Sequence, residues 1–378
     1  VDSTFELHVG DVEVVTEICN RLDGLPLAIE LAAARISAVS PGDLLQRLDE
    51  RFEVLTGGRR RRSRDRQRTL RETVDWSYEL LDNDEKLVFE LLSVFAGSFG
   101  LDGAEAILDG VSSADVLDLV EALVSKSLLA AVEVDGSHRY RYLETIRSYA
   151  EERLAARGSD NEAVDRLHTH LLSVVASSTD QVLFGSRSGA DRLREEIPNL
   201  RRAFDEAIAS GDVEAAASLI VPFARLRSSI DWRIHGWADE VLALPGAAGS
   251  PHEAELLALR SIDTWLDNRF GELRSIADDM MDAARQTTGD SLAVIQNAAA
   301  VSQLLGDDDR TLALADRLRT EFNSTLAAWY GHFTTLLPSD PDAPTVERDD
   351  CGDDLAALAA SESELARGQA ALIRAIRA

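Results

Sequence analysis

The sequence predicts a mainly α-helical chain that carries one β-hairpin and falls into three helical parts. Three observations lead there. Apolar residues recur at three- and four-residue spacing along most of the 378 positions, which is the period of a helix with one buried face. The one change to strict alternation falls at 128–143 around Asp135-Gly136, a dipeptide suited to a tight hairpin turn. Gly57-Gly58 and the seven arginines from Arg59 to Arg68 interrupt the pattern with no apolar residue, so residues 57–68 read as a linker.

Composition sets the outer limits. With 45% hydrophobic residues the chain can build real cores, and its length allows two or three domains at roughly 150 residues each. The 67 acids and 39 bases leave a formal charge of −28. That sign argues against a surface that embraces nucleic acid or anionic membrane as a whole. No apolar run reaches the roughly 18 to 20 residues that span a bilayer. Cys19 and Cys351 are the two cysteines, a count that suits a reducing, cytoplasmic compartment better than a disulfide scaffold. The chain starts at Val1 without an initiator methionine, so it reads as a fragment or a processed product. Only Lys86 and Lys126 are lysines, and they follow Glu85 and Ser125. Neither fits the Gly-Lys-Ser/Thr of a phosphate-cradling loop, and the chain is not expected to be an enzyme by itself.

Residues 1–56 read as a small helical domain. Val15, Ile18 and Leu22 share one helix face, Asp23-Gly24 stops that helix, and Pro26 opens the next, as glycine past one helix and proline inside another should. Ser40 is placed to cap a third helix that carries Pro41 at its first position and Asp43 near its positive end.

Residues 69–157 form the second part. Asp82 with Glu85 three positions on has the spacing of a capping box. Helices are expected near 102–108 and 114–126, then the hairpin, then a helix over 144–156. That order of elements is the order of a winged helix-turn-helix. Its last helix before the wing carries Asp115, Asp118 and Glu121 against Lys126 alone, so phosphates should repel it. Arg139 and Arg141 on the hairpin are the compensating charges.

Residues 158–337 are expected to be helical throughout, with Gly-acid corners at Gly211-Asp212, Gly271-Glu272 and Gly306-Asp307. The last two lie close to one tetratricopeptide period apart, which suggests degenerate, tetratricopeptide-like helix pairs. Residues 338–354 read as a linker and 355–378 as a terminal helix. Trp232, Trp237, Trp265 and Trp329 are expected in packing. His168 and His170 stand two apart on a helix and point away from each other, so they are read as structural rather than as ligands of one metal ion.

The chain resembles the bacterial STAND signal-transduction ATPases, relatives of the NB-ARC proteins. The likeness rests on Gly24-Leu25-Pro26-Leu27 and its flanks, on Leu70-Arg71-Glu72-Thr73-Val74-Asp75-Trp76, on Leu92-Ser93-Val94-Phe95-Ala96-Gly97 and on Tyr142-Leu143-Glu144-Thr145, in order. The resemblance implies the back half of a nucleotide switch whose P-loop domain lies upstream in the same parent chain. It implies ATP or ADP with Mg in that parent, though no cofactor in this chain alone. Gly24, Leu25, Pro26 and Leu27 would face the adenine side. Tyr142, Leu143 and Glu144 match the family's Met-His-Asp latch, and Leu143 cannot hydrogen-bond a phosphate as that histidine does.

The function expected from the sequence is a non-catalytic regulatory segment of such a switch, with an unknown protein or small-molecule signal received on the helical repeats. Direct binding to DNA is not expected, nor is a membrane. The alternatives are a stand-alone helical-repeat binding module and a DNA-binding regulator acting through the winged helix.

Overall fold

In a computed structural model, the described residues are 12–22, 26–34, 36, 39–46, 71, 73–111, 113–134, 137–183, 186–226, 234, 236–286 and 291–322. They belong to two units, residues 1–170 and 171–378. The division falls inside one long helix, whereas the sequence places a boundary at the Gly158 break. The arginine-rich stretch, the 338–354 linker and the expected terminal helix lie outside the described residues.

The first unit begins with α1 (Val12–Arg21), α2 (Pro26–Ala33) and α3 (41–46). Pro26 is the first residue of α2, and the Asp43 amide donates to the Ser40 hydroxyl at 3.2 Å, so both expected helix starts are present. Ile18, Leu22, Ala28, Ala32 and Leu44 bury one common cluster. Trp76 of α4 (73–79) completes it.

From there the chain builds a winged helix-turn-helix. It runs through α5 (Asn83–Leu91), a 3-10 turn at Leu92–Val94, α6 (Leu101–Ile107), α7 (Ser113–Ser125), β1 (Ala130–Val134), β2 (Ser137–Arg141) and α8 (Glu144–Arg157). The capping box of α5 is complete, since the Asp82 side chain accepts from the Glu85 amide and the Glu85 side chain accepts from the Asp82 amide. The hairpin is antiparallel, with Ala130 opposite Arg141 and Val132 opposite Arg139. Its turn residues Asp135 and Gly136 lie outside the described set.

Aromatic rings fill the core of this module. Phe95 stacks on Phe99 at 4.5 Å between centroids, and Phe89 meets Tyr78 and Tyr142 at 5.8 and 5.6 Å. Burial of such rings contributes on the order of 2 kcal/mol or more per side chain. α8 is tied to the helices beneath it by charge. Glu90, almost fully buried, accepts from Tyr78 and from Arg157. Asp75 accepts from Tyr149 at 2.7 Å and from Arg153 at 2.6 Å, and the Arg153 guanidinium lies over the rings of Tyr78 and Tyr149. Arg71 pairs with Glu152 through both of its terminal nitrogens and holds that carboxyl below its ordinary range. Burial, then the bond to Glu90, pushes the Tyr78 hydroxyl up to about 12. Burial and the bond to Asp75 raise Tyr149 as well.

The described residues of the second unit form helices: the C-terminal part of α9 (Asp160–Leu183), α10 (Arg187–Ser210), α11 (Val213–Ile220), α12 (Trp237–Leu242), α13 (Glu253–Leu266), α14 (Phe270–Gln286), α15 (Leu292–Leu304) and α16 (Asp308–Phe322). α15 is buried on every side from Ala293 to Ser302, apolar except for Gln296, Asn297 and Ser302, as a central helix should be. It packs against α13, α14 and α16. Its buried Asn297 amide donates to Ala224 and Ala293 carbonyls at 3.0 and 2.8 Å. Trp237 is buried and stacks on Phe204 at 4.8 Å, whereas Trp265 is 40% exposed.

One expected corner moves. Gly211 and Gly306 do sit at corners with φ of 73° and 70°. Gly271, however, is the second residue of α14, and the corner before it is made by 267–269 with Asn268 at φ 60°. Asparagine tolerates the left-handed region, and an open helix start accepts a glycine. The spacing between Gly271 and Gly306 therefore does not measure corner to corner.

Candidate nucleic-acid interface

The winged helix-turn-helix is the candidate surface among the described residues, and its parts follow from local sequence. α6 ends at Ile107 with Leu108 as its cap, and Gly110 takes φ 86°, a conformation that favours glycine in the turn between the two helices. α7 turns Val116, Val120 and Leu123 inward, all with no exposure. Lys126, just past its end, pairs with the buried Glu85 and so fixes α7 against α5. Gly103 keeps α6 close to the core, because a Cβ there would stand 3.2 Å from the Phe95 ring.

An isolated bridge braces the wing. The Phe99 amide donates to the Tyr140 carbonyl and the Tyr140 amide to the Phe99 carbonyl, both at 2.8 Å. β2 is thereby held on both sides, by β1 and by the segment before α6. The sequence gives no sign of this pairing, since a single bridged residue has no period. The only local hint is an apolar residue between Ser98 and Gly100.

The wing's charge differs from the count made in the sequence. Arg139 is 6% exposed, and its guanidinium donates to the Ser98 hydroxyl at 2.9 Å and the Ser98 carbonyl at 2.7 Å. Arg139 therefore anchors the wing instead of facing solvent, and Arg141 and His138 are the exposed basic side chains of β2. On α7 the solvent face holds Asp115, Asp118 and Glu121, in line with the acidic face read from the sequence.

Of the positions singled out by resemblance, Gly24 to Leu27 precede the winged module, whereas Tyr142, Leu143 and Glu144 directly follow the wing strand β2. Gly24 and Leu25 are outside the described residues, as is the side chain of Leu27, and Pro26 is exposed at the start of α2. Tyr142 is buried and donates to the Phe89 carbonyl at 2.7 Å, and burial raises its hydroxyl well above the ordinary value. Leu143 is 39% exposed at the N-cap position of α8. Glu144 opens that helix, pairs with Arg147 and is held below its usual range by it. His168 and His170 are half-buried on α9. Among the described residues no group of three or more histidine, cysteine or acidic side chains is placed to hold a metal ion. No helix among them is long and apolar enough to cross a membrane.

Comparison with known proteins agrees with the architecture. Residues 81–155 match the winged helix-turn-helix domain family. Over 243 residues, 61% of this chain, the sequence is 38% identical to proteins of Mycobacterium bovis and Mycobacterium tuberculosis provisionally named HTH-type transcriptional regulators, and it covers 27% of them. An uncharacterized protein of Mycobacterium tuberculosis is 39% identical over 176 residues, which is 45% of this chain and 44% of that protein. The chain thus spans about a quarter to under half the length of these curated relatives. No solved structure matches the chain.

Proposed function

We propose that this chain is a regulatory part of a transcriptional regulator and that its winged helix-turn-helix meets DNA. The observation that carries the reading is the complete module at 81–155, in a chain similar to proteins named as HTH-type transcriptional regulators. Such modules place the helix before the wing against a groove and the wing on the backbone.

The surface charge sets the terms of contact. α7 offers carboxylates where phosphates would lie, so the attraction falls to Arg141 and His138 of the wing. With one or two phosphates neutralised, the logarithm of affinity should fall with the logarithm of salt at a slope of about −1 to −2. Fluorescence anisotropy of the chain with duplex DNA between low and moderate salt tests this. Arg141→Ala should remove most of the binding, and Asp118→Asn should tighten it by relieving repulsion. No binding at the lowest salt would reject the reading.

A second reading is favoured by the ordered motifs from Gly24 to Thr145. In it the chain follows an upstream NTPase module of the same parent that holds ATP or ADP with Mg. Gly24, Leu25, Pro26 and Leu27 close over adenine, and Tyr142, Leu143 and Glu144 form the latch ahead of α8. The helical part after 158, read as tetratricopeptide-like repeats, receives the signal. Ligand contacts made in only one state would then bias a bistable element. Supplying the upstream module should make hydrogen exchange in α7 and β2 depend on nucleotide, and identical protection with and without nucleotide would reject it.

A further inference from the structure

Four large apolar side chains stay in solvent at one end of the α13–α16 layer. Trp265 and Leu266 close α13, Phe270 opens α14 and Leu304 closes α15, each between 40% and 50% exposed. They are half of the eight large hydrophobic side chains that are exposed among the described residues. Ion pairs place them at a common end. Arg274 pairs with Asp307 at 3.1 Å and Asp278 with Arg310 at 2.6 Å, so α14 and α16 run side by side in the same direction. α13 and α15, each joined to the next helix by a three-residue corner, end where those two begin. The corners 267–269 and 305–307 therefore lie at one end of the layer, with the exposed side chains around them. An apolar patch of this kind marks a contact surface.

The sequence that follows α16 has the matching character. α16 starts at the patch and runs 15 residues to Phe322, which is about 22 Å at the helical rise. Residues 323–337, beyond the described set, hold no Asp, Glu, Lys or Arg in a chain that is 28% charged. Leu326, Tyr330, Phe333 and Leu337 recur at intervals of four, three and four, with Trp329 and Leu336 beside them. That is the apolar stripe of a helix, and the opposite side holds only Ser324, Ala328, Gly331 and Thr335. Pro338 stops the pattern. A charge-free stretch with six large apolar side chains gains by leaving water. As a helix as long as α16 it retraces that helix and returns Leu336 and Leu337 to the patch.

We infer that residues 326–337 fold back along α16 as an amphipathic helix and seat Phe333, Leu336 and Leu337 on the patch of Trp265, Leu266, Phe270 and Leu304. The chain thereby closes this end of the helical layer with its own segment, as stacked helical pairs need a cap at their ends. A partner of the helical part would find this end occupied, and would have to engage another face or displace the segment.

The inference is independent of the DNA and nucleotide readings, and its test uses neither. Hydrogen exchange of the full chain should show the amides of 328–337 slowed about tenfold or more relative to a free peptide of that sequence. Leu304→Asp and Phe270→Asp, both at exposed positions, should each return them to the free rate while α15 keeps its protection. In the reverse direction, Phe333→Asp should speed exchange at the 267–270 corner. That variant alters no residue of the described helices, so it decides the matter if Leu304→Asp also loosens α15. Leu80→Asp, at an exposed position of the winged module, should change none of these rates. Free exchange of 328–337 in the unaltered chain, or protection that ignores all three substitutions, would overturn the inference. Protection that vanishes on dilution would overturn it as well, by giving the patch to a second copy of the chain.

Discussion

The winged module and the α13–α16 layer solve the same packing problem with different residues. The first buries rings of different shape, with Phe89, Phe95 and Phe99 at its centre, and adds a buried carboxylate, Glu90, held by a tyrosine and an arginine. The second buries alanines among aliphatic side chains and, among the described residues, no ring, as Ala298 and Ala299 among Leu273, Val294 and Ile295, and keeps charged pairs outside, as Arg274 with Asp307 and Arg310 with Asp278. A core of mixed rings fixes one arrangement, because each ring has one shape of neighbour. Alanines at the helix contacts let helices approach closely and leave little room for added volume. The difference teaches that one unit is vulnerable to cavities and lost partners and the other to added volume.

Substitutions can break or sharpen that contrast. Phe89→Ala should cost the winged module about 3–5 kcal/mol, read as lost hydrogen-exchange protection in α5, α7 and α8 while α13–α16 keep theirs. Arg157→Met should cost about 2 kcal/mol by leaving the buried Glu90 with one partner fewer, measured by denaturant unfolding followed through the tyrosines. In the other unit, Ala298→Leu should cost about 1–3 kcal/mol by overpacking and should spare the winged module. At the small end, Arg274→Ala removes an exposed pair and should change stability by less than about 1 kcal/mol.

Alkali separates the two regions by another route. Four of the five tyrosines lie between Tyr78 and Tyr149, and burial raises the hydroxyls of Tyr78, Tyr142 and Tyr149. A raised folded value favours the neutral form, so this stabilisation is complete below the unfolded tyrosine value of about 10. It is lost as pH climbs through 10 toward the value of about 12 for Tyr78. The winged module should therefore melt at lower temperature through that range, and α13–α16 should shift less. Equal shifts in both regions would contradict the comparison.

Legibility in the sequence followed the range of each interaction. The Asp82–Glu85 capping box and the Ser40 cap could be read because both partners lie within four residues. The hairpin could be read because alternation marks it. The Phe99–Tyr140 bridge could not, since it joins single residues forty-one apart. The inward turn of Arg139 was hidden for a related reason. Arg139 and Tyr140 are adjacent and both buried, because one meets Ser98 and the other fills the core, so simple alternation fails there. The corner at Asn268 was masked by the neighbouring glycine, which composition favours and geometry does not use. At the candidate interface, the acidic face of α7 was legible from its helical spacing, whereas the wing's usable charge was legible only once Ser98 had been placed beside Arg139.

The central claim is that the winged helix-turn-helix of this chain contacts DNA through its wing. The most direct measurement is the salt dependence of duplex binding by the wild-type chain and by Arg141→Ala. The account predicts weak binding with a logarithmic slope of about −1 to −2, most of which Arg141→Ala removes. Binding that is absent at low salt, or that persists unchanged without Arg141, would contradict it.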